Sequence, residues 1–425
     1  MRLPQAKYKR SGGTMFGRDL FRRAVAACID VGRPLLVVAL LQAGAAQAAP
    51  KEPFELLHQF DAPTDGRGAA EGLVLGPDGR FYAVNALEGA LGGGTAYAVD
   101  KHGVFTVLHA FNPWIEGSEA HGRLVSASDG SLYGVLSGGG AHGCGSIFRM
   151  SPSDGATEIL HSFVRGAEGC KPLGGIVQGP DGVFYGTTSE GGAYQWGTVF
   201  RWAPGQRARV LHHFTHSDGD GGYPLRGVTM SADGLAVYGV TYRGGAQDSG
   251  VIFKVGTDGT DYSVLRSFDD KIGLSASGEL VLAKDGNFYG PTARGGAGHY
   301  GTIYRLTPAG DVSVMHSFVS FSDVGQNPAG RLTLGEHGML YGTTTYGGAN
   351  AQGTIFALSR DGVMTVMHSF AADEFGFNAG GNLARAHGYL YGVTGNRGWP
   401  LPTAGTVFRI RKLEPGNEAT SGGAL

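Results

Sequence analysis

Between residues 54 and 410 the apolar positions come in short runs, each broken within a few residues by glycine, proline or an Asp-Gly pair. The unit around residue 190 shows the pattern. Residues 175–178 form one run, Asp181-Gly182 turns the chain, 183–188 form a second run, and a glycine-rich loop follows. Residues 198–202 then alternate apolar and polar, Pro204-Gly205 turns the chain again, and 208–214 form a fourth run. Alternation with a period of two puts every second side chain on one face of a strand, and Asp-Gly supplies the two-residue turn whose twist matches a hairpin. Short strands with turn signals about every 8–12 residues predict an all-β fold.

The four-strand unit repeats. Leu-His-x-Phe or a close variant ends at Phe60, Phe111, Phe163, Phe214, Phe268, Phe318 and Phe370, in steps of 51, 52, 51, 54, 50 and 52 residues. Between these phrases recur Tyr-Gly-x-Thr (Tyr185-Gly186-Thr187-Thr188), a Gly-Gly pair and Gly-Thr-x-Phe (Gly197-Thr198-Val199-Phe200). A four-strand repeat of this length is a propeller blade. With strands lettered a to d from the axis outwards, the chain opens on a lone strand d (54–60) and closes on a strand c (405–410). The expected fold is therefore a seven-bladed β-propeller of four-stranded antiparallel blades whose N-terminal strand completes the last blade, removing the open edges.

These phrases resemble the GloVer (Gloeobacter/Verrucomicrobium) tandem repeat of exported bacterial proteins, over about 54–410. The resemblance implies a propeller-like exported protein. It implies no settled activity and no catalytic residues, so no site is carried over. The C-terminal anchor or sorting segment that members often carry is not seen here. Arg266, Pro291 and the long loop 396–404 depart from the pattern.

Composition agrees with many strands and tight turns: 76 of 425 residues are glycine, yet 42% are hydrophobic. Residues 1–48 read as a signal peptide, with Arg18, Arg22, Arg23 and Arg33 ahead of the apolar run 35–41 and Ala46-Gln47-Ala48 as cleavage site. The domain plan is then leader 1–48, propeller 49–411 and disordered tail 412–425, in a secreted or periplasmic monomer with no membrane span after cleavage. The leader takes eight basic and two acidic residues with it, leaving 26 against 34 and a net charge of −8. That excludes nucleic acid as a natural partner. Cys144, in the b–c loop of the second blade, and Cys170, in the d–a loop leaving it, share one face of the disc. An oxidising compartment predicts a disulfide between them.

A residue repeated in every blade is a poor candidate for a unique site. The histidines of Leu-His-x-Phe and the repeated tyrosines are therefore expected to be structural, the latter packing between blades. Function is expected on the d–a/b–c face, where loops are long and the units differ. That face carries Trp114 and Tyr223 in d–a loops, and Tyr194, Trp196, Tyr242, Tyr300, Tyr346 and Trp399 in b–c loops. At the start of strand a, beside the channel, the units diverge as Arg123, Gly175, Arg226, Glu279, Arg331 and Asn382. The ligand-binding set selected is Trp114, Arg123, Tyr194, Trp196, Tyr223, Glu279, Tyr300 and Arg331, because flat aromatics beside charged groups suit a glycan or a peptide. No catalytic motif and no cofactor motif is found. Asp218-Gly-Asp220 has the short oxygen spacing of a Ca²⁺ loop but lacks the rest of one. The leading expectation is an exported binding module for an extracellular or periplasmic glycan or peptide. The alternative is a lyase or hydrolase acting on a carbohydrate or lactone at the channel mouth. Converging charged groups with perturbed ionisation at one end of the channel favour the enzyme, and an aromatic platform without them favours binding.

Overall fold

A computed structural model describes residues 54–69, 71–217, 219–320, 322–371, 379–395 and 404–412. The expected leader, the tail beyond 412, Asp218 and Trp399 lie outside these. Seven four-stranded antiparallel blades form a ring, a seven-bladed β-propeller. Blade 3 contains strands Val177–Gln178, Phe184–Thr188, Thr198–Trp202 and Arg209–His213, each within a residue or two of the runs read from sequence. Blade 7 has Ala384–Ala386, Tyr389–Thr394 and Thr406–Arg411 from the C-terminal end. Its outer strand is Phe54–Gln59 from the other end of the chain, with Phe54 opposite Ile410 and Gln59 opposite Thr406. The ring closes as the strand order predicts.

Apolar side chains of neighbouring blades interdigitate to form the core. Tyr82, Val84, Ala96 and Phe111 of blade 1 meet Leu124, Leu132 and Phe148 of blade 2, and an equivalent cluster fills each other junction. The repeated tyrosines lie in these junctions. Tyr391 stacks on Phe81 at 4.0 Å across the closure, and Tyr238 on Phe288 at 4.2 Å between blades 4 and 5. Their rings are buried in these junctions, and offset stacking adds about 0.5–1.5 kcal/mol per pair.

Two kinds of polar latch pin blade ends, each found in four of the blades. On the a–b face, the aspartate of the Asp-Gly turn accepts from the tyrosine of the next strand: Tyr82 to Asp78 at 2.7 Å, Tyr133 to Asp129 at 2.8 Å, Tyr185 to Asp181 at 3.1 Å and Tyr289 to Asp285 at 2.7 Å. On the d–a face, the repeated histidine bonds an acid seven or eight residues on: His58 with Asp65, His109 with Glu116, His161 with Glu168 and His212 with Asp220, all within 3.2 Å. The same acids accept the backbone N–H groups of Asp61, Asn112, Val164 and Thr215, which ties the d–a loop to its own strand. These four histidines bond within the fold, as a structural role requires.

Cys144 and Cys170 are joined by a disulfide with their Cα atoms 4.5 Å apart. The Lys171 N–H also donates to the Cys144 carbonyl at 3.0 Å, so bridge and hydrogen bond staple the b–c loop of blade 2 to the chain entering blade 3. Among the described residues, no helix is long and apolar enough to cross a membrane.

Candidate functional site

The innermost strand of a blade is not continuous. In blade 1 it consists of Arg67–Ala69 and Val74–Leu75, both paired with Phe81–Leu87. In blade 5 it consists of Leu274–Ala276 and Val281–Leu282, both paired with Phe288–Arg294. Blade 6 runs as one strand, Gln326–Leu334, whose register slips between Ala329 and Thr333. The gap falls at the same place each time, just before a buried aliphatic residue (Leu73, Leu280, Leu332). Within it, just before that aliphatic residue, stand a glycine and a charged residue: Glu71-Gly72, Gly278-Glu279 and Gly330-Arg331. Such breaks free a side chain from the alternation of the sheet and re-aim it.

The glycines of these breaks form a collar around the axis, backbone against backbone. A Cβ on Gly174 would lie 2.1 Å from the Gly227 nitrogen, and one on Gly278 would lie 2.1 Å from the Gly330 oxygen. Likewise one on Gly381 would lie 2.8 Å from the Gly72 nitrogen. No other residue fits there, because non-bonded heavy atoms meet at about 3.5–4.0 Å.

Five charged side chains stand on the collar. Glu71 comes from blade 1, Arg123 from blade 2, Arg226 from blade 4, Glu279 from blade 5 and Arg331 from blade 6; blade 3 contributes only Gly174 and Gly175. All five sit at the break of the innermost strand, part-way along the channel from the d–a/b–c face. Arg226 Nη1 donates to Glu71 Oε1 at 2.7 Å. These two residues belong to opposite sides of the ring, so the pair lies across the axis like a bar. Arg331 Nε lies 3.7 Å from Glu279 Oε2 and donates to the Leu280 carbonyl at 3.3 Å. Glu279 is 5% exposed, and its carboxylate rests on the bare backbone of Gly227.

The valences do not balance. The Nε groups of Arg123 and Arg226 are buried and have no hydrogen-bond partner among the described residues, and neither has the Asn382 side-chain oxygen, which lies over Gly72 next to Glu71. Burial pushes the Glu71 carboxyl up to about 7, with Arg226 opposing the shift and Glu279 adding to it. Burial and the charge of Arg123 press the Arg331 guanidinium down to about 10, against the pull of Glu279 and Glu71. Elsewhere on this face the acids of the histidine pairs are satisfied. Burial would raise Asp220, yet hydrogen bonds from His212 and Tyr262 hold it at about 2. That carboxylate also accepts from Thr215, so the only described member of the Asp218–Asp220 pair is already engaged. Among the described residues, no three His, Cys, Asp or Glu side chains converge as a metal ion needs.

The sequence-selected residues divide into two kinds. Arg123, Glu279 and Arg331 meet at the channel. The aromatics are dispersed. Trp114 is 93% exposed at the tip of the loop from blade 1 to blade 2, and Tyr194 is 57% exposed in blade 3. Trp196 stacks on His216 at 4.0 Å and meets Tyr223 edge-on at 4.8 Å, a packed cluster between blades 3 and 4. Tyr300 packs against the core between blades 5 and 6. Glu71 is absent from the sequence-selected set. In blade 1 the charged residue precedes the glycine that aligns with Arg123, one place out of register. Blade 4 makes the same swap with Arg226-Gly227, and that exchange was the available signal.

No curated protein matches the chain in sequence. Among solved structures, the extracellular domain of a hybrid two component system of B. thetaiotaomicron aligns with TM-score 0.53 and 11% identity, over 85% of this chain and 41% of that one. TolB from Acinetobacter baumannii aligns with TM-score 0.40 and 17% identity, over 64% of this chain and 59% of that one. A gluconolactonase from Xanthomonas campestris aligns with TM-score 0.44 and 12% identity, over 84% and 89%. The chain thus spans about three fifths of that TolB and two fifths of the extracellular domain, and the likeness to the latter is one of fold. In sequence, the Gloeobacter/Verrucomicrobia repeat model matches residues 46–172, 121–336 and 281–420, and the chain belongs to that repeat family.

Proposed function

We propose that the chain is an exported propeller that binds a glycan or peptide ligand on its d–a/b–c face, centred on the channel mouth. One observation carries this reading. Five blades place a charged side chain, three arginines and two glutamates, beside the collar glycine at the break of the innermost strand. The groups left unsatisfied include two guanidinium donors and an amide acceptor, and each is a hydrogen-bonding valence that a ligand could fill. Glycan and peptide arrays probed with the purified chain test it. The expected result is a ligand class lost when Arg123 and Arg331 are both replaced by glutamine. A ligand retained by that variant places binding elsewhere.

The alternative of an enzyme acting on a carbohydrate or lactone is favoured by Glu71. A carboxyl that titrates at about 7 is tuned for proton transfer at neutral pH. Incubation with sugar lactones and acidic polysaccharides, followed by product analysis, tests that reading: turnover must appear and must vanish in Glu71→Gln.

A further inference from the structure

Building on the reading that the channel mouth binds a ligand, we propose that it is a receptor for a carboxylate-bearing sugar of the uronate kind. The sugar's carboxylate replaces Glu71 on Arg226 and engages Arg123, while its hydroxyl groups supply the donor that Asn382 lacks. Three guanidiniums face two carboxylates, and each guanidinium has five N–H donors in a planar fork. Two of the Nε donors are buried without partners. A buried donor left unpaired is costly, and an incoming anion removes that cost. The site already displays the chemistry it accepts, because the Glu71 carboxylate, from the far side of the ring, sits on Arg226 at 2.7 Å. Unpaired cationic donors on one collar, with the unpaired Asn382 acceptor on the same collar next to Glu71, call for a ligand with both an anion and hydroxyl groups, which a sugar acid carries on one small ring.

Adding a carboxylate here puts it beside Glu71 and Glu279. The charged groups facing Glu71 are Arg226, Glu279, Arg123 and, more remotely, Arg331. Glu279 stays with Arg331, so Glu71 yields Arg226 by taking up a proton, and burial already holds its carboxyl at about 7. Binding is then coupled to one proton. Affinity is flat below about pH 7, where Glu71 is already protonated, and weakens by up to about tenfold per pH unit above it.

The test is calorimetric titration of the purified chain, between pH 6 and 9, with trigalacturonate, a neutral trisaccharide, and a peptide with a free C-terminal carboxylate. Trigalacturonate should bind with this pH profile. Arg123→Gln and Arg226→Gln should each weaken it at least tenfold, and Glu71→Gln should bind with the low-pH affinity at every pH. Circular dichroism of each variant confirms that it is folded. Equal binding of the neutral sugar, preference for the peptide, indifference to the arginines, or no binding of trigalacturonate would each overturn the inference. The broader reading falls separately, only if a ligand found on the arrays ignores the channel residues.

Discussion

The d–a/b–c face uses the same chemistry twice, to opposite ends. At the rim, histidine and carboxylate meet in repeated pairs, and each acid also accepts a backbone N–H, as Glu168 does from His161 and Val164. At the axis, arginine and glutamate meet once, from five different blades, with donors left over. The rim pairs are local, His161 to Glu168 spanning seven residues, whereas Arg226 and Glu71 are 155 residues apart. A pair repeated from blade to blade and satisfied locally, as in the four histidine–acid pairs, holds the blade together. A group that changes from blade to blade on a constant scaffold is free to serve a ligand.

The comparison breaks first if the scaffold is not what the repeats make it. Removal of Phe54–Gln59 takes away the whole outer strand of blade 7 and leaves Thr406–Arg411 as an open edge. The largest effect is expected here: aggregation, or a melting temperature many degrees lower. An unchanged melt would refute composite closure. Next comes the staple. Replacing Cys144 and Cys170 with alanine opens a loop closed over 26 residues, worth on the order of 3 kcal/mol in the chain-entropy picture. Denaturant unfolding should register that loss, with ligand affinity unchanged.

At the axis the sharpening experiment is pH. The Glu71 carboxyl, ordinarily near 4.5, is raised to about 7 in the folded chain. A raised carboxyl contributes stability that is complete below its unfolded value and is lost as pH climbs through the folded one. The window is therefore about 4.5 to 7, and the loss on the order of 2–3 kcal/mol. Glu71→Gln should lack this component, so its advantage over wild type should grow across the window and level off above it. A constant difference between the two from pH 4 to 8 would show that Glu71 is not held as described. The smallest effect distinguishes two rim histidines. His161→Ala strands a buried Glu168 and should cost about 1–3 kcal/mol. The Nε2 of His316 has no partner among the described residues, so its loss should cost less.

Much of the scaffold is legible in the chain because its determinants are local or periodic. Asp-Gly turns, alternating runs and the offset of one strand d specify blades and closure, and the loop topology suffices to bring Cys144 to Cys170. The site is only partly legible. Divergence at the start of strand a picks out Arg123, Glu279 and Arg331, and it notes Arg226 and Asn382 without selecting them. Glu71 escapes because glycine and charge exchange places in blade 1. Its pairing with Arg226 depends on the diameter of the ring, which no local pattern encodes. The aromatics mislead for a related reason: a tryptophan in a long loop reads alike whether it is bare, as Trp114 is, or stacked on His216, as Trp196 is.

The central claim, that the rim holds the fold and the axis holds the ligand, is tested most directly by one paired titration. Trigalacturonate binding and thermal unfolding are measured on Arg226→Gln and His161→Ala side by side. Arg226→Gln should lose at least tenfold in affinity with little change in melting temperature, while His161→Ala should melt lower and bind as wild type does. An Arg226→Gln variant that binds normally, or a His161→Ala variant that alone loses binding while keeping its melting temperature, would contradict the account.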